Sequence, residues 1–256
     1  MYILGNEERN VNESYGNIPR VKPFHFKQFS LNHHNSTMKV GTDAILLGCW
    51  CDISNAEMIL DIGTGSGIIA LLMAARSKAK IDAVELDKLS ASEASENFSS
   101  SRYSKQLNIY NLDFNDFVKR AEQKYDVIIS NPPFFSNDLL PLNPSRKAAR
   151  HINELTHNKL CEGAKKLLTK DGRFNIVLPV NLFTDFIKTA QSYGLHLYRK
   201  LLIYAKPGKN PNRVNLEFRF ENRSKVIVEK ITIRDENGLH SEQYKNFVDN
   251  FLMKFK

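Results

Sequence analysis

Short apolar runs alternate with amphipathic stretches along the chain from residue 58 onward. Helical periodicity is found near residues 66–76, 88–99, 114–123 and 153–169. The apolar runs have the length of buried strands, and they are MILDI (58–62), IDAVEL (81–86), LNIYN (107–111), YDVIIS (125–130) and RFNIVLP (173–179). Strands that alternate with helices predict an α/β fold, in which helices cover a doubly wound, mostly parallel sheet.

The pattern changes after residue 179. The runs LHLYRKLLIYAK (195–206) and RVNLEFRFE (213–221) predict a closing antiparallel pair of strands. Gly172 is interpreted as a turn out of the helix at 153–169. The expected architecture is therefore a seven-stranded sheet with an antiparallel closing strand and a short N-terminal extension.

The same pattern suggests how the chain is divided. Residues 1–22 are polar and show no periodicity, so we expect a flexible N-terminal segment there. Residues 23–256 are expected to form a single domain, with an N-terminal segment at 23–57 and a core at 58–256.

The composition points to a soluble domain. No run approaches the roughly 20 apolar residues of a membrane span, and MYILGNEERN turns polar too early for a signal peptide, so we expect a cytoplasmic protein. Cys49, Cys51 and Cys161 form no CxxC pair and have no histidine at zinc-ligand spacing. We therefore interpret them as reduced core thiols and expect no metal site.

Charge is distributed unevenly along the chain. Residues 141–256 contain 22 Lys and Arg against 11 Asp and Glu, whereas residues 1–140 contain 14 against 17. A basic surface can simply keep a protein soluble, or it can bind a polyanion. Composition leaves both interpretations open.

A glycine loop follows the first predicted strand. In LDIGTGSGII, Gly63, Gly65 and Gly67 let the backbone turn tightly and approach a ligand, and the helix that follows offers free N–H groups to an anion. The spacing is G-x-G-x-G with Asp61 before it, which differs from the G-x-G-x-x-G of dinucleotide-binding loops.

The loop and the acidic residues that end the next two strands resemble the Rossmann-like methyltransferases that bind S-adenosylmethionine. In that family the first acid and the loop hold the methionine part, the second-strand acid holds the ribose, and the third-strand Asp contacts the adenine. The resemblance implies S-adenosylmethionine as cofactor, S-adenosylhomocysteine as product, and a cofactor-binding set of Asp61, Gly63, Thr64, Gly65, Gly67, Glu85, Leu86 and Asp113. Asp113 can instead cap the helix that begins near Phe114.

The fourth strand ends abruptly in Asn131, Pro132, Pro133 and Phe134. Doubly wound sheets bind substrate at the carboxyl ends of strands, where the strand order reverses. A conjugated amino group is a weak nucleophile. Its nucleophilicity rises when an Asn oxygen and a carbonyl on a rigid proline turn accept hydrogen bonds from its two N–H groups. Phe134 can stack on a flat substrate group. The alternative is a plain turn with neighbouring core aromatics.

This turn resembles that of the amino-methyltransferases that modify adenine, guanine, cytosine or a glutamine amide. A larger set of segments resembles the bacterial family that methylates the N6 amino group of adenine 37 in valine tRNA: FHFKQFSLNHHNSTMKVGTDAILLGCW (24–50), IDAVEL, YDVIISNPPF, ARH (149–151) and KPGKNPNR (206–213). Phe134 departs from the Tyr that is common in such turns. The resemblance implies that the cofactor cleft, which includes Asn131, is walled by Lys39, Gly41, Thr42 and Asp43. Thr42 and Asp43 can also cap the following helix.

The family resemblance implies tRNA, held by its anticodon stem-loop, as the partner, and we expect a monomer. The basic residues expected to contact its phosphates are Lys22, Lys27, Arg146, Lys147, Arg150, Lys206, Lys209 and Arg213. His33 and His34 are interpreted as surface or RNA-facing groups.

Other functions remain possible at this point. The same chemistry could act on guanine N2 in ribosomal RNA, on adenine N6 in DNA or on a protein glutamine. A nicotinamide oxidoreductase would not explain the Asn-Pro-Pro-Phe turn, and a nucleic-acid-binding protein without catalysis would leave Asp61, Glu85 and Asp113 unexplained.

Overall fold

The computed structural model describes residues 23–34, 36, 40–133 and 155–253. The strands are β1 (Phe24–His25), β2 (Ser30–Leu31), β3 (Met58–Ile62), β4 (Lys80–Glu85), β5 (Leu107–Asn111), β6 (Tyr125–Ser130), β7 (Leu168–Pro179), β8 (His196–Tyr204), β9 (Arg213–Arg219) and β10 (Ile227–Thr232). The α-helices are α1 (Thr42–Trp50), α2 (Ile68–Arg76), α3 (Lys88–Ser100), α4 (Phe114–Arg120), α5 (His157–Leu167), α6 (Phe183–Ser192) and α7 (Glu242–Val248).

One large sheet runs through the molecule in the order β10-β8-β9-β7-β6-β3-β4-β5. Strand β9 is antiparallel to both of its neighbours, and the other pairs are parallel. The predicted doubly wound, mostly parallel α/β fold is confirmed. Across the described ranges the sheet has eight strands rather than the expected seven, because β10 joins its edge. Only Ile231 of β10 is buried, so this strand lacks the apolar pattern that marks the others.

Strand β7 begins directly after α5, so the interpretation of Gly172 as a turn out of the helix is wrong. Tyr125 of β6 pairs with Leu168, but Val127 pairs with Arg173, so residues 169–172 form a bulge in β7. A Cβ on Gly172 would lie 3.0 Å from the backbone oxygen of Thr169. Close approach of the backbone within a bulge is a usual reason for glycine in a strand.

The core has two apolar clusters on opposite faces of the sheet. Ile59 belongs to the first cluster and Leu60 to the second, as expected for neighbouring residues of a strand. The first cluster includes Phe26, Leu31 and much of α1 and α2, so the segment at 23–57 packs into the same core as the residues that follow it. The division at residue 57, like the flexible segment at 1–22, stays a prediction.

Two expectations from the composition concern the cysteine thiols and membrane-spanning segments. Cys49, Cys51 and Cys161 are free thiols, as predicted, and burial raises the pKa of each to about 12. Of the helices that the structure describes, none has the length and apolar character needed to cross a membrane.

The strand order reverses between β3 and β6, which lie side by side in the middle of the sheet. The chain continues from β3 to β4 and β5 on one side, and from β6 to β7 on the other. Ile62 pairs with Ser130 at the carboxyl ends of these parallel strands. The glycine loop and the Asn131 turn therefore leave the sheet next to each other, where this fold places its ligands.

Candidate active site

The three glycines of the loop between β3 and α2 have different reasons to be glycine. Gly63, Gly65 and Gly67 have φ values of 70°, 57° and 88°, a region that other residues rarely adopt. A Cβ on Gly67 would also lie 2.4 Å from the ring of Phe98 in α3, whereas a Cβ on Gly63 or Gly65 would meet nothing within 4 Å. Gly67 lets α3 pack closely, and Gly63 and Gly65 face open space in which a ligand fits.

Asp61 is fully buried beneath this loop. Its Oδ2 accepts hydrogen bonds from Thr64 Oγ1 at 2.6 Å and from Ala70 N at 3.1 Å. Its Oδ1 is buried and has no partner among the residues that the structure describes. Burial raises the pKa of Asp61 to about 7, and the nearby charge of Glu85 also raises it, while the two hydrogen bonds lower it. A buried carboxylate with one unused oxygen is suited to bind a cationic group.

Glu85, at the end of β4, holds the glycine loop from the side. Its Oε2 accepts a hydrogen bond from Gly65 N, and its Oε1 accepts one from Asp87 N, each at 2.9 Å. A carboxylate offers about four acceptor sites, so two remain for the hydroxyls of a ribose. Glu85 therefore both braces the loop and keeps capacity for a ligand.

The next strand end carries Asp113 and a residue that sequence reasoning missed. Asp113 Oδ1 accepts hydrogen bonds from Asn115 N and Nδ2, each at 2.8 Å, so the capping role of Asp113 is present. The missed residue is Asn111, whose Nδ2 donates to the backbone oxygens of Glu85 and Leu86 at 2.9 and 3.1 Å. Leu86 itself is 51% exposed, which leaves its side chain available to a ligand.

The N-terminal wall of the site differs from the prediction at the start of α1. Gly41 is the N-cap, with extended φ and ψ of −111° and 151°, and no side chain caps the helix. The capping role of Thr42 and Asp43 is wrong because both lie within the first turn, after the cap position. Instead, Asp43 Oδ2 accepts a hydrogen bond from Arg213 Nε at 2.9 Å. Lys39 lies outside the described residues.

Asn131 follows β6 on the other side of the switch point. Its Oδ1 is buried and has no hydrogen-bond partner within the described ranges. Pro132 is buried and Pro133 is exposed. Ser130 Oγ donates to the backbone oxygen of Ile62 at 2.9 Å, which ties this strand end to the one that starts the glycine loop. Phe134 lies outside the residues that the structure describes.

The basic residues expected to contact RNA fall into three groups. Lys206 and Lys209 are exposed in the loop between β8 and β9. Lys27 donates to the backbone oxygen and to Oδ1 of Asp249, and Arg213 pairs with Asp43, so both also have partners within the chain. The remaining four lie outside the described ranges, and they are Lys22, Arg146, Lys147 and Arg150.

The loop that carries Lys206 and Lys209 lies at the same sheet edge as Asn131. Ser130 pairs with Ile176 in the parallel β6–β7 pair, and Pro179, at the carboxyl end of β7, pairs with Arg213, the first residue of β9. The two exposed lysines therefore share an edge with the Asn131 turn. Exposed positive charges at this edge are suited to bind a polyanion.

The segment before α1 is held by two side chains of α3 that sequence reasoning also missed. Glu93 and Asn97 are 2% and 1% exposed and make hydrogen bonds to residues between 32 and 36. His33 and His34 lie in this segment and are half-buried, and their interpretation as surface or RNA-facing groups stays a prediction. The sequence offered one signal for Glu93 and Asn97: they are four positions apart on the predicted helix, next to the apolar Ala94 and Phe98. Polar residues with that spacing also occur on the solvent-exposed face of a helix, so the signal does not distinguish the two cases.

The fold and this edge of the sheet together have the layout of the Rossmann-like methyltransferase fold. Solved structures show the same fold, with TM-scores of 0.61 for a predicted O-methyltransferase from Agrobacterium tumefaciens and 0.54 for a ribosomal protein L11 methylase from Lactobacillus delbrueckii subsp. bulgaricus. The first match is 16% identical and covers 82% of this chain and 96% of that chain; the second is 15% identical and covers 75% and 84%. At these identities the likeness shows the fold alone.

Sequence comparison then gives the family. The family model of the methyltransferase small domain matches residues 36–190. The tRNA1(Val) (adenine(37)-N6)-methyltransferase of Bacteroides thetaiotaomicron is 39% identical over 91% of this chain and 98% of its own length. The proteins of the same name from Phocaeicola vulgatus and Photorhabdus laumondii are each 38% identical, over 90% and 91% of this chain and 97% and 96% of their own lengths. The chain belongs to the methyltransferase small domain family and, within it, to the family of these tRNA methyltransferases.

Proposed function

We propose that the chain transfers a methyl group from S-adenosylmethionine to the N6 amino group of adenine 37 in valine tRNA, next to the anticodon. The observation that carries this proposal is Asn131 Oδ1, which lies beside the glycine loop and is buried without a hydrogen-bond partner among the described residues. It is an acceptor placed where an amino group would be methylated. The names of the relatives supply the particular nucleotide.

The residues around the glycine loop fit S-adenosylmethionine. Asp61 Oδ1, which has no partner in the part of the chain that the structure describes, would accept a hydrogen bond from the ammonium group of the methionine part, and the open space at Gly63 and Gly65 would accommodate the remaining atoms of that part. Glu85 would accept hydrogen bonds from the ribose hydroxyls, and the exposed Leu86 side chain would be available to the adenine. When bound, this cofactor supplies an electrophilic methyl group on a positively charged sulfur.

Asn131 orients and activates the amino group that receives the methyl. Its Oδ1 accepts a hydrogen bond from one N–H group of the amino group, and the backbone oxygen of Pro132 is proposed to accept a hydrogen bond from the other. The nitrogen lone pair is thereby turned toward the cofactor and withdrawn from conjugation with the ring. The two prolines keep this turn rigid, so the geometry exists before substrate arrives.

The RNA is expected to lie across the loops at the carboxyl edge of the sheet. Lys206 and Lys209 are exposed there and carry charges that can neutralise phosphates of the anticodon stem-loop. The four basic residues outside the described ranges, together with Lys27 and Arg213, remain proposed RNA contacts. A monomer in the cytoplasm is proposed as the working form.

The direct test is methyl transfer by the purified protein. The substrates are a valine tRNA transcript, the same transcript with guanine at position 37, a ribosomal RNA fragment, a DNA duplex and a glutamine peptide, each with labelled S-adenosylmethionine. We expect N6-methyladenosine in the first transcript alone, identified by mass spectrometry of nucleosides. Equal labelling of the guanine variant would refute adenine 37, and labelling of DNA or peptide alone would refute an RNA substrate.

A cheaper test separates the classes of function. S-adenosylhomocysteine should raise the melting temperature, because a ligand that binds only the folded state stabilises it, while NAD should not. Stabilisation by neither ligand, together with tRNA binding, would indicate a nucleic-acid-binding protein without catalysis.

A further inference from the structure

We infer that Glu93 and Asn97 of α3 are positioning residues for the cofactor, because they hold Asn32, His34 and Ser36 on a helix that is also bonded, through Asn97, to the glycine loop. The inference rests on the proposed function, since it concerns how the S-adenosylmethionine site keeps its shape. Neither side chain belongs to the set that the sequence motifs assign to the cofactor.

Asn97 connects the two regions through a single buried amide. Its Nδ2 donates to the backbone oxygen of Ser66, in the glycine loop, at 2.8 Å and to the backbone oxygen of Asn32 at 2.9 Å. Its Oδ1 accepts a hydrogen bond from Asn32 N at 2.9 Å. The amide therefore pairs with both backbone groups of Asn32 while it holds the peptide that precedes Gly67.

Glu93, one helical turn earlier, holds the same segment through two further backbone groups. Its Oε1 accepts from His34 N at 2.5 Å, and its Oε2 accepts from Ser36 N at 2.8 Å. Buried backbone N–H groups outside regular structure need such partners. A carboxylate is a costly group to bury, and charged acceptors make stronger hydrogen bonds than neutral ones. Glu93 thus fixes the segment more firmly than a neutral side chain would.

Helix α3 also touches the cofactor site at two other places. Asp87, the N-cap of α3, donates its backbone N–H to Glu85 Oε1, the acceptor proposed for the ribose. Phe98, next to Asn97, packs so closely on Gly67 that no Cβ fits between them. A shift of α3 would therefore move the ribose acceptor and the glycine loop together. Fixing the 32–36 segment on this helix keeps all of these parts in register.

Two variants with a matched control test this inference. Glu93→Gln replaces one acceptor oxygen with a donor that faces a backbone N–H, and Asn97→Ala removes the link between Ser66 and Asn32. Glu96→Gln is the control, because Glu96 lies on the same helix, is exposed and undergoes the same chemical change. The measurements are the dissociation constant of S-adenosylhomocysteine, the KM for S-adenosylmethionine, kcat at saturating cofactor, and backbone hydrogen exchange.

For Glu93→Gln and Asn97→Ala we expect about tenfold weaker cofactor binding and a KM raised by the same factor, which corresponds to the loss of one strong hydrogen bond. We expect kcat to stay within about twofold, because Asn131 is untouched. The amides of His34 and Ser36 should exchange faster in Glu93→Gln, and Glu96→Gln should match the wild type in every measurement.

Unchanged cofactor affinity in both variants, even with a lowered melting temperature, would overturn the inference and leave these bonds a purely structural role. If a variant fails to fold, backbone hydrogen exchange in the wild type tests the inference instead. S-adenosylhomocysteine should slow exchange at the amides of His34 and Ser36, and unchanged exchange there would also overturn the inference. A wild type that does not bind S-adenosylhomocysteine would remove the proposed function itself, and this inference with it.

Discussion

The two sides of the switch point differ in how far their polar groups are bonded within the chain. On the β3–β4 side, the Thr64 hydroxyl, the Gly65 N–H and the Ser66 carbonyl all have partners within the chain. On the β6 side, Asn131 Oδ1 is buried and has none within the described ranges. Asp61 Oδ1 on the cofactor side is likewise buried without a partner in those ranges, so both sides keep an acceptor open, but the cofactor side also has a loop that internal hydrogen bonds hold in shape before any ligand binds.

This difference separates affinity from chemistry. A loop fixed in advance loses little conformational entropy when its ligand binds, so its internal hydrogen bonds contribute to affinity. An unsatisfied buried acceptor costs about 1–3 kcal/mol of stability, and that cost is recovered when a substrate donor arrives. Changes on the β3–β4 side should therefore alter binding and stability together, and a change at Asn131 should alter rate with little effect on stability.

The largest effect is expected for Asn131→Ala. The rate of methyl transfer should fall by about 10²–10³, by analogy with the loss of one hydrogen-bonding group that acts in the transition state. The melting temperature should stay the same or rise slightly, because an unsatisfied acceptor is removed. Single-turnover rates and thermal unfolding check this, with Asn237→Ala, at an exposed turn position, as the control. Near-normal turnover would refute the proposed role of Asn131.

A smaller loss is expected for Glu85→Ala. Removal of this half-buried carboxylate should weaken binding of S-adenosylhomocysteine by about 1–3 kcal/mol, the cost of losing hydrogen bonds to a charged group. It should also lower the melting temperature, because Gly65 N and Asp87 N lose their acceptor. Calorimetry in the presence of a chelator measures the affinity. An unchanged affinity would remove Glu85 from the ribose site.

The contrast between the two sides also explains what could be predicted from sequence. Strands β3, β5 and β6 have the predicted bounds, because each is a short apolar run between polar turns. The glycine loop and Asn131 are recognisable because their function depends on local backbone geometry. Strand β10 escaped because most of its residues face outward, so its sequence does not alternate.

The site residues that the sequence did not predict are joined by contacts between distant parts of the chain, which no local pattern can indicate. Asn32 and Asn97 are 65 residues apart in sequence, and Asp43 and Arg213 are 170 apart. The Asp43–Arg213 pair joins one residue expected at the cofactor with another expected at the RNA. Its geometry leaves both roles as predictions and adds a structural role to each.

The third prediction concerns pH on the cofactor side. Because the pKa of Asp61 is raised to about 7, the free protein holds a proton there at lower pH, and a bound ammonium group requires its loss. Affinity for S-adenosylhomocysteine should therefore rise with pH, by at most about tenfold per unit, and level off above about 7. Asp61→Asn should weaken binding and flatten this profile. A wild-type profile already flat between pH 5.5 and 8 would exclude Asp61 from ammonium binding.

The same raised pKa has a consequence for stability with the opposite sign. The folded protein binds the Asp61 proton more tightly than the unfolded chain, whose carboxyl has an ordinary pKa near 4. The contribution of Asp61 to the free energy of unfolding should therefore fall as pH rises from about 4 to about 7. Urea unfolding of the wild type and of Asp61→Asn across this range isolates the contribution, which should vanish in the variant.

The smallest effect is expected at the exposed lysines, and it should differ in kind from that of Arg213. Lys206→Ala and Lys209→Ala should each weaken tRNA binding. Each should also reduce the slope of log K against log salt concentration by about 0.7–0.9, the value for the loss of one phosphate contact. The modified base should not change. Lys80→Ala, at the amino end of β4 and therefore at the opposite edge, is the matched control.

Arg213→Ala breaks the pair with Asp43 and should loosen the start of α1, so its first effect should be weaker cofactor binding. Binding across a salt series, together with cofactor affinity, separates these effects. Lysine variants that match the wild type at every salt concentration would show that this edge is only a solvated basic surface. A reduced salt slope in Arg213→Ala with normal cofactor affinity would assign Arg213 to the RNA instead of to α1.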